Sequence, residues 1–245
     1  MQISPIKKRS ISDEITTQLL REILRGAIKA GEKLPPEREL AVRFHTNRNT
    51  LREALRNLET MNLVSARQGD GLRVLDFRRT GEINLLPVFL QAEGGSVEER
   101  LELLKDVLVF RRILLSHVAA MLVKRATPEN FQVLEALVEK QRGQLEDPAA
   151  MMETELEILN VMVDAVQSMA IRWIFNTMVK TYRDVALSHP SLWFFTESYC
   201  ENFTALIAAC REGDSTRARE TMNRHLGESD RLILEAMESL RDILG

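Results

Sequence analysis

The chain has 245 residues, 44% hydrophobic and 28% charged, enough for one large or two smaller domains of ordinary soluble composition. Its net charge of -3 excludes a molecule that is basic throughout, but the charge is unevenly spread. Residues 1–78 carry 15 Lys/Arg against 10 Asp/Glu, which leaves 18 against 26 for the remainder, a basic front and an acidic back that suit a polyanion binder joined to something else.

A first helix is expected over residues 12–30, where Ile15, Leu19, Leu20, Ile23, Leu24 and Ala27 form one helical stripe and Gly31 ends it. "GEKLPPEREL" then gives a turn and a fresh start. Proline is tolerated in a first helical turn and Glu37 and Glu39 suit the positive helix end, so a short helix over 36–44 follows. The next stretch, "TNRNTLREALRNLE", reads as a helix with Asn47 as N-cap and two working faces. Leu51, Ala54, Leu55 and Leu58 make a stripe to bury. Arg48, Arg52 and Arg56 recur at steps of four on the other side, with Asn47, Asn49 and Thr50 crowded at the start. Long cations with short amides and hydroxyls at a helix N-terminus suit phosphate oxygens and base edges, although a plain solvated face has the same composition. "LVSARQGDGLRVLDF" supplies two strand-like runs, 63–67 and 72–75, around a Gln-Gly-Asp-Gly turn, the signature of a hairpin. A helix, a pair of closely spaced helices and a small hairpin together predict a winged helix-turn-helix. In that module the second of the paired helices enters a DNA major groove and the hairpin tip lies beside it.

Residues 77–96 mix charges, Gly81, Pro87 and "EGGS" and read as a linker with a short apolar helix near 83–91. Everything later has helical period. Helices are expected near 97–125, 128–145, 148–167, 170–188, 191–211 and 215–244, and the short breaks between them favour antiparallel neighbours. The segment "LELLKDVLVFRRILLSHVAAMLV" is apolar nearly all round, as expected of a helix at the centre of a bundle. The fold class is therefore mainly α. A winged helix-turn-helix over 1–76 and the 77–96 linker are followed by an all-helical domain over 97–245. Cys200 and Cys210 show no CxxC spacing, Asp13 and Glu14 interrupt any secretory apolar core, and the apolar runs are too short to cross a bilayer. A reducing cytoplasm and no membrane contact are the expectation.

Three motifs, "LPPERELA", "RNTLREALRNLE" and "RQGDGLRV", occur in order over about residues 12–75 and resemble the DNA-binding domain of GntR-type bacterial transcription regulators. The resemblance implies that Arg38, then Asn47, Arg48, Asn49, Thr50 and Arg52, then Gln68 and Gly69 contact the operator. Asp70 departs from the pattern, since a basic or small residue at a wing tip suits DNA better. "FRRILLSHVAAMLVKRAT" and "CREGDSTRARETMNRHL" resemble the helical effector domain of the FadR subfamily, more diffusely and over about residues 97–240. Many members hold a divalent metal there. The matching positions here are Glu155, Leu159, Phe203 and His225, and Leu159 and Phe203 cannot ligate, so no metal and no other cofactor is expected. Fatty-acid-responsive members also lack the metal set and bind a long-chain acyl-coenzyme A, which makes an acyl-CoA or a small organic acid the implied effector.

Five methionines, Met151, Met152, Met162, Met169 and Met178, fall within thirty residues and fit either an adaptable acyl-chain cavity or an ordinary packed core. Among the histidines, His45 is expected at an exposed turn, His117 in the core and His225 beside the effector. Arg111, a cation on an apolar helix, needs an effector's anionic group or an internal carboxylate, and Tyr182 offers a polar handle on an apolar wall. Glu155, Arg111, Tyr182 and His225 are thus the candidate effector contacts. No phosphate loop, nucleophile elbow or HExxH motif points to an enzyme. The expectation is a homodimeric regulator that reads a palindromic double-stranded operator under control of a small-molecule effector. An effectorless architectural DNA binder is the alternative.

Overall fold

The computed structural model describes residues 10–67, 70–82, 85–86, 89, 95–188 and 197–244. The chain divides into two compact units, Met1–Arg100 and Leu101–Gly245.

In the first unit, α1 spans Ile11–Leu24 and starts with a reciprocal cap. The Ser10 side chain accepts from the Asp13 N–H, and the Asp13 carboxylate accepts from the Ser10 N–H. Ile15, Leu19, Leu20, Ile23 and Leu24 are buried as their spacing requires. The helix stops at Leu24 rather than running to residue 30, because Gly26 takes a left-handed φ of 74° and breaks the hydrogen-bond ladder before Ala27, which is exposed. Helix α2, Glu37–Arg43, leads through an exposed His45 with φ of 48° into α3, Arg48–Thr60. Strands β1 (Val64–Arg67) and β2 (Gly71–Val74) pair antiparallel, from Val64 opposite Val74 to Arg67 opposite Gly71. Gly71 has φ of 85°, which a β-branched or bulky residue would adopt only with strain. The stretch expected as a plain turn does more than that. Gly31 and Leu34 donate backbone hydrogen bonds to Val74 and Leu72, and Val74 donates to Glu32, so 31–34 forms a third rung beside β2. Helix α4, Phe77–Thr80, is a single turn capped by Asp76. The short apolar helix expected over 83–91 falls mostly outside the described residues; Leu85, Leu86 and Phe89 are buried.

Among the described residues the second unit has helices as its regular elements: α5 (Val97–Arg125, beginning in the first unit), α6 (Pro128–Arg142), α7 (Pro148–Ala165), α8 (Met169–Ser188), α9 (Glu197–Arg211) and α10 (Ser215–Leu244). Helix α6 packs against α7 and α9, α7 against α8, and α9 against α10. Thr127 and Asp147 cap α6 and α7, each followed by proline at the first helical position. Leu115, Val118, Ala119 and Leu122 of α5 join Ile158, Met162, Phe203 and Leu226 in the core. The composition of α5 had suggested burial all round, yet Val109, Phe110 and Ile113 are exposed and only one face is enclosed. His117 lies on that open side and is exposed, correcting its expected place in the core. Among the described residues no helix is long and apolar enough to cross a membrane.

Candidate functional site

Helix α3 is the centre of the candidate nucleic-acid interface. Its inner face, Leu51, Ala54, Leu55 and Leu58, is almost fully enclosed, and burying each leucine contributes about 1.5–3 kcal/mol. Helical period then fixes where the cations go: Arg48, Arg52 and Arg56 are exposed, and so are Asn47 and Asn49 at the start. Asn47 has a defined local duty, because its side-chain oxygen accepts from the Thr50 N–H at 2.9 Å and caps the helix. Arg38 is exposed on α2. Arg52 is held in place, with Nε donating to Glu37 Oε2 at 2.8 Å. Gln68 and Gly69, the predicted wing contacts, lie outside the described residues.

Asp70, the residue that departs from the DNA-binding pattern, is neutralised locally. Arg73 Nε donates to it at 2.5 Å and Lys33 Nζ at 3.4 Å. The Arg73 hydrogen bond, assisted by Lys33, holds its carboxyl below the usual value. Arg73 also donates to the Gly31 carbonyl at 2.7 Å, tying the hairpin to the 31–34 rung. Between the start of α2, α3 and the hairpin lies an open cleft of about 600 Å³, lined by Lys33, Pro36, Glu37, Arg52, Arg56 and Asp70 among others. Sequence reading assigned Glu37 only to the helix dipole. Its contact with Arg52 spans fifteen positions and leaves no periodic trace.

In the helical unit, Glu155 of α7 and His225 of α10 come together with Nε2 3.9 Å from Oε1. Both side chains are enclosed, at 0% and 1% exposure, and neither the carboxylate oxygens nor the ring nitrogens have a hydrogen-bond partner among the described residues. Tyr199 meets the imidazole edge-on at 4.6 Å between centroids and Phe203 lies against it at 4.5 Å. Leu159 follows one turn after Glu155 and is buried. Two donors flanked by leucine and phenylalanine do not make a transition-metal site, and no group of three or more His, Cys, Asp or Glu suited to a metal occurs among the described residues.

Arg111 has the internal partner that was one of its two expected fates. Its guanidinium donates to Asp230 Oδ1 at 2.6 Å and to Ser229 Oγ at 3.4 Å, with Arg112 3.7 Å from the other carboxylate oxygen. Burial pushes the Asp230 carboxyl above its usual value, against the pull of Arg111, Arg112 and His225. Asp230 is 119 positions from Arg111, so nothing local in the sequence announced the pair. The Tyr182 side chain lies outside the described residues. Met151, Met152, Met162 and Met178 are buried core residues and Met169 is exposed. The enclosed apolar space beside Met162 is only about 10 Å³.

Two family models match. One, described as bacterial regulatory proteins of the gntR family, covers residues 11–74, and the FCD domain covers residues 106–228, just over half of the chain. The HTH-type transcriptional regulator Mce2R of Mycobacterium tuberculosis is 29% identical over 220 residues, spanning 90% of each chain. The HTH-type transcriptional repressor NanR of Klebsiella aerogenes is 25% identical over 91% of this chain and 85% of its own. A solved structure of Lar, described as controlling expression of the Listeria monocytogenes agr system, shares the fold with a TM-score of 0.55 at 15% identity. That alignment covers 93% of this chain and 98% of Lar.

Proposed function

The chain belongs to the GntR family of bacterial transcriptional regulators with an FCD effector domain, and from that premise we propose that it is a cytoplasmic homodimer reading a palindromic operator, with no catalytic activity. The observation that carries this reading is the exposed cationic face of α3 set back to back with its fully enclosed leucine face. A helix held rigidly from behind presents Arg48 and Arg52 to base edges, and two copies related by a twofold axis read the two half-sites. Arg38 sits on phosphate, with Asn47, Asn49 and Thr50 at the groove wall and Gln68 and Gly69 at the wing. Selection from a pool of randomised duplexes tests it. The protein should enrich an inverted repeat, and Arg48→Ala or Arg52→Ala should abolish enrichment of particular bases. Failure to enrich any double-stranded sequence overturns the reading.

The effector site is the buried Glu155–His225 pair. Buried polar atoms without partners are costly, so a small organic acid with hydroxyl groups, which donate to the Glu155 carboxylate while its own carboxylate accepts from the His225 ring, gains affinity from the protein's own deficit. Met151, Met152, Met162 and Met178 are packed as buried core residues, which favours a small ligand over a long acyl chain. The ligand alters operator binding only as far as its affinity differs between the DNA-competent and DNA-incompetent states. Titration with organic acids and acyl-CoAs, following operator release, decides the class. Release by acyl-CoA alone overturns the small-acid assignment, and no release by either supports the effectorless alternative.

A further inference from the structure

The ion pair between Glu37 and Arg52 is poorly explained by stability. Both side chains are well exposed, 40% for Glu37 and 57% for Arg52, and pairs in that setting contribute little to folding. Nor does a carboxylate on this surface help general affinity, since it faces a polyanion. Its geometry suggests another role. Glu37 takes the Nε hydrogen of Arg52, which leaves the two terminal nitrogens of the guanidinium open. An arginine tied at Nε can meet a base only end-on, through those terminal nitrogens, the fork that matches O6 and N7 of guanine. The tie also removes rotamers that an exposed arginine otherwise samples. Among the described residues, Arg52 is the one arginine of α3 held by a carboxylate.

We propose that Glu37 is a positioning residue that restrains Arg52 at 2.8 Å so that it discriminates guanine at one operator position. The inference rests on α3 being the DNA-reading helix and adds to it a residue that touches no base. Glu37 sets sequence selectivity and lowers general affinity, so removing it should push the two quantities in opposite directions.

The test uses the full chain and an operator selected from randomised duplexes. Affinity is measured for the selected duplex, for duplexes with single guanines replaced, and for an unrelated duplex. Glu37→Ala should reduce discrimination at a single guanine by about tenfold while affinity for the unrelated duplex stays equal or rises. Glu37→Gln, which keeps an acceptor without the charge, should fall between wild type and Glu37→Ala. In an Arg52→Ala background, Glu37→Ala should change discrimination no further, as coupled residues require. Thermal unfolding of Glu37→Ala should match wild type closely, which separates selectivity from folding. Unchanged base discrimination, or losses that simply add to those of Arg52→Ala, overturns the role of Glu37 while leaving α3 as the reader. A wild-type protein that selects no duplex overturns both.

Discussion

Each arginine offered to DNA should fail in its own way. Arg52→Ala should cost about 1–3 kcal/mol on the selected operator and relax preference at one base. Arg38→Ala should weaken binding evenly across sequences and reduce the salt slope by about one. Affinities measured at several salt concentrations tell the two apart. In the helical unit, Arg111 and Asp230 are 5% and 8% exposed, so both charges are held out of water. Replacing both residues with methionine or leucine should therefore be neutral or stabilising in thermal unfolding. Asp230 also sets a pH dependence. Its carboxyl is raised by burial, so above the unfolded value of 3.8 the folded protein holds more protons than the unfolded chain. Its contribution to stability is present in acid and is lost as pH rises through the raised folded value. Relative to the double variant, wild type should lose Tm as pH climbs from about 3.8 through that range. A gain over the same interval contradicts the assignment.

Helix α3 shows at the level of elements how much a sequence conveys. Its cap, its leucine stripe and its cationic face were all legible, since each is a local pattern of spacing and residue type. Asn47 caps the helix and is also proposed to face the groove, and the two roles are separable. Asn47→Ala should lower stability by about 1 kcal/mol and weaken operator binding, while Asn47→Asp should keep the cap and lose only DNA. Thermal melts beside binding titrations read both. What was not legible depends on distance or on backbone. The 31–34 rung pairs through main-chain groups that any residue has, and the partners of Arg52 and Arg111 lie fifteen and 119 positions away. The apolar spacing of α1 extends to Ala27, and only the left-handed backbone of Gly26 stops the helix at Leu24. The methionine-rich stretch leaves a cavity open beside the ordinary core that it more simply fits, because one flexible side chain suits both. Met162, fully enclosed in α7, is packed core, so Met162→Ala should cost about 2–5 kcal/mol.

For the whole molecule, the proposed effector site sets stability against response at Glu155 and His225. Replacing both with leucine removes four unpartnered buried polar atoms, and should raise Tm while abolishing any release of the operator by an effector. A variant that is stabilised yet still responds places the ligand elsewhere. Protein purified without chelator should contain well under one equivalent of divalent metal, and a stoichiometric ion bound through Glu155 and His225 contradicts the donor set. The two thiols give a way to watch the same domain from inside. Cys200 and Cys210 are both unoxidised and buried, and burial pushes the Cys210 thiol up to about 11. Only the thiolate attacks an alkylating reagent, so intact molecules should resist iodoacetamide near neutrality and labelling should count excursions in which the bundle opens. An effector that fills the bundle should slow that clock in proportion to its occupancy, giving a ligand screen that needs no knowledge of the operator.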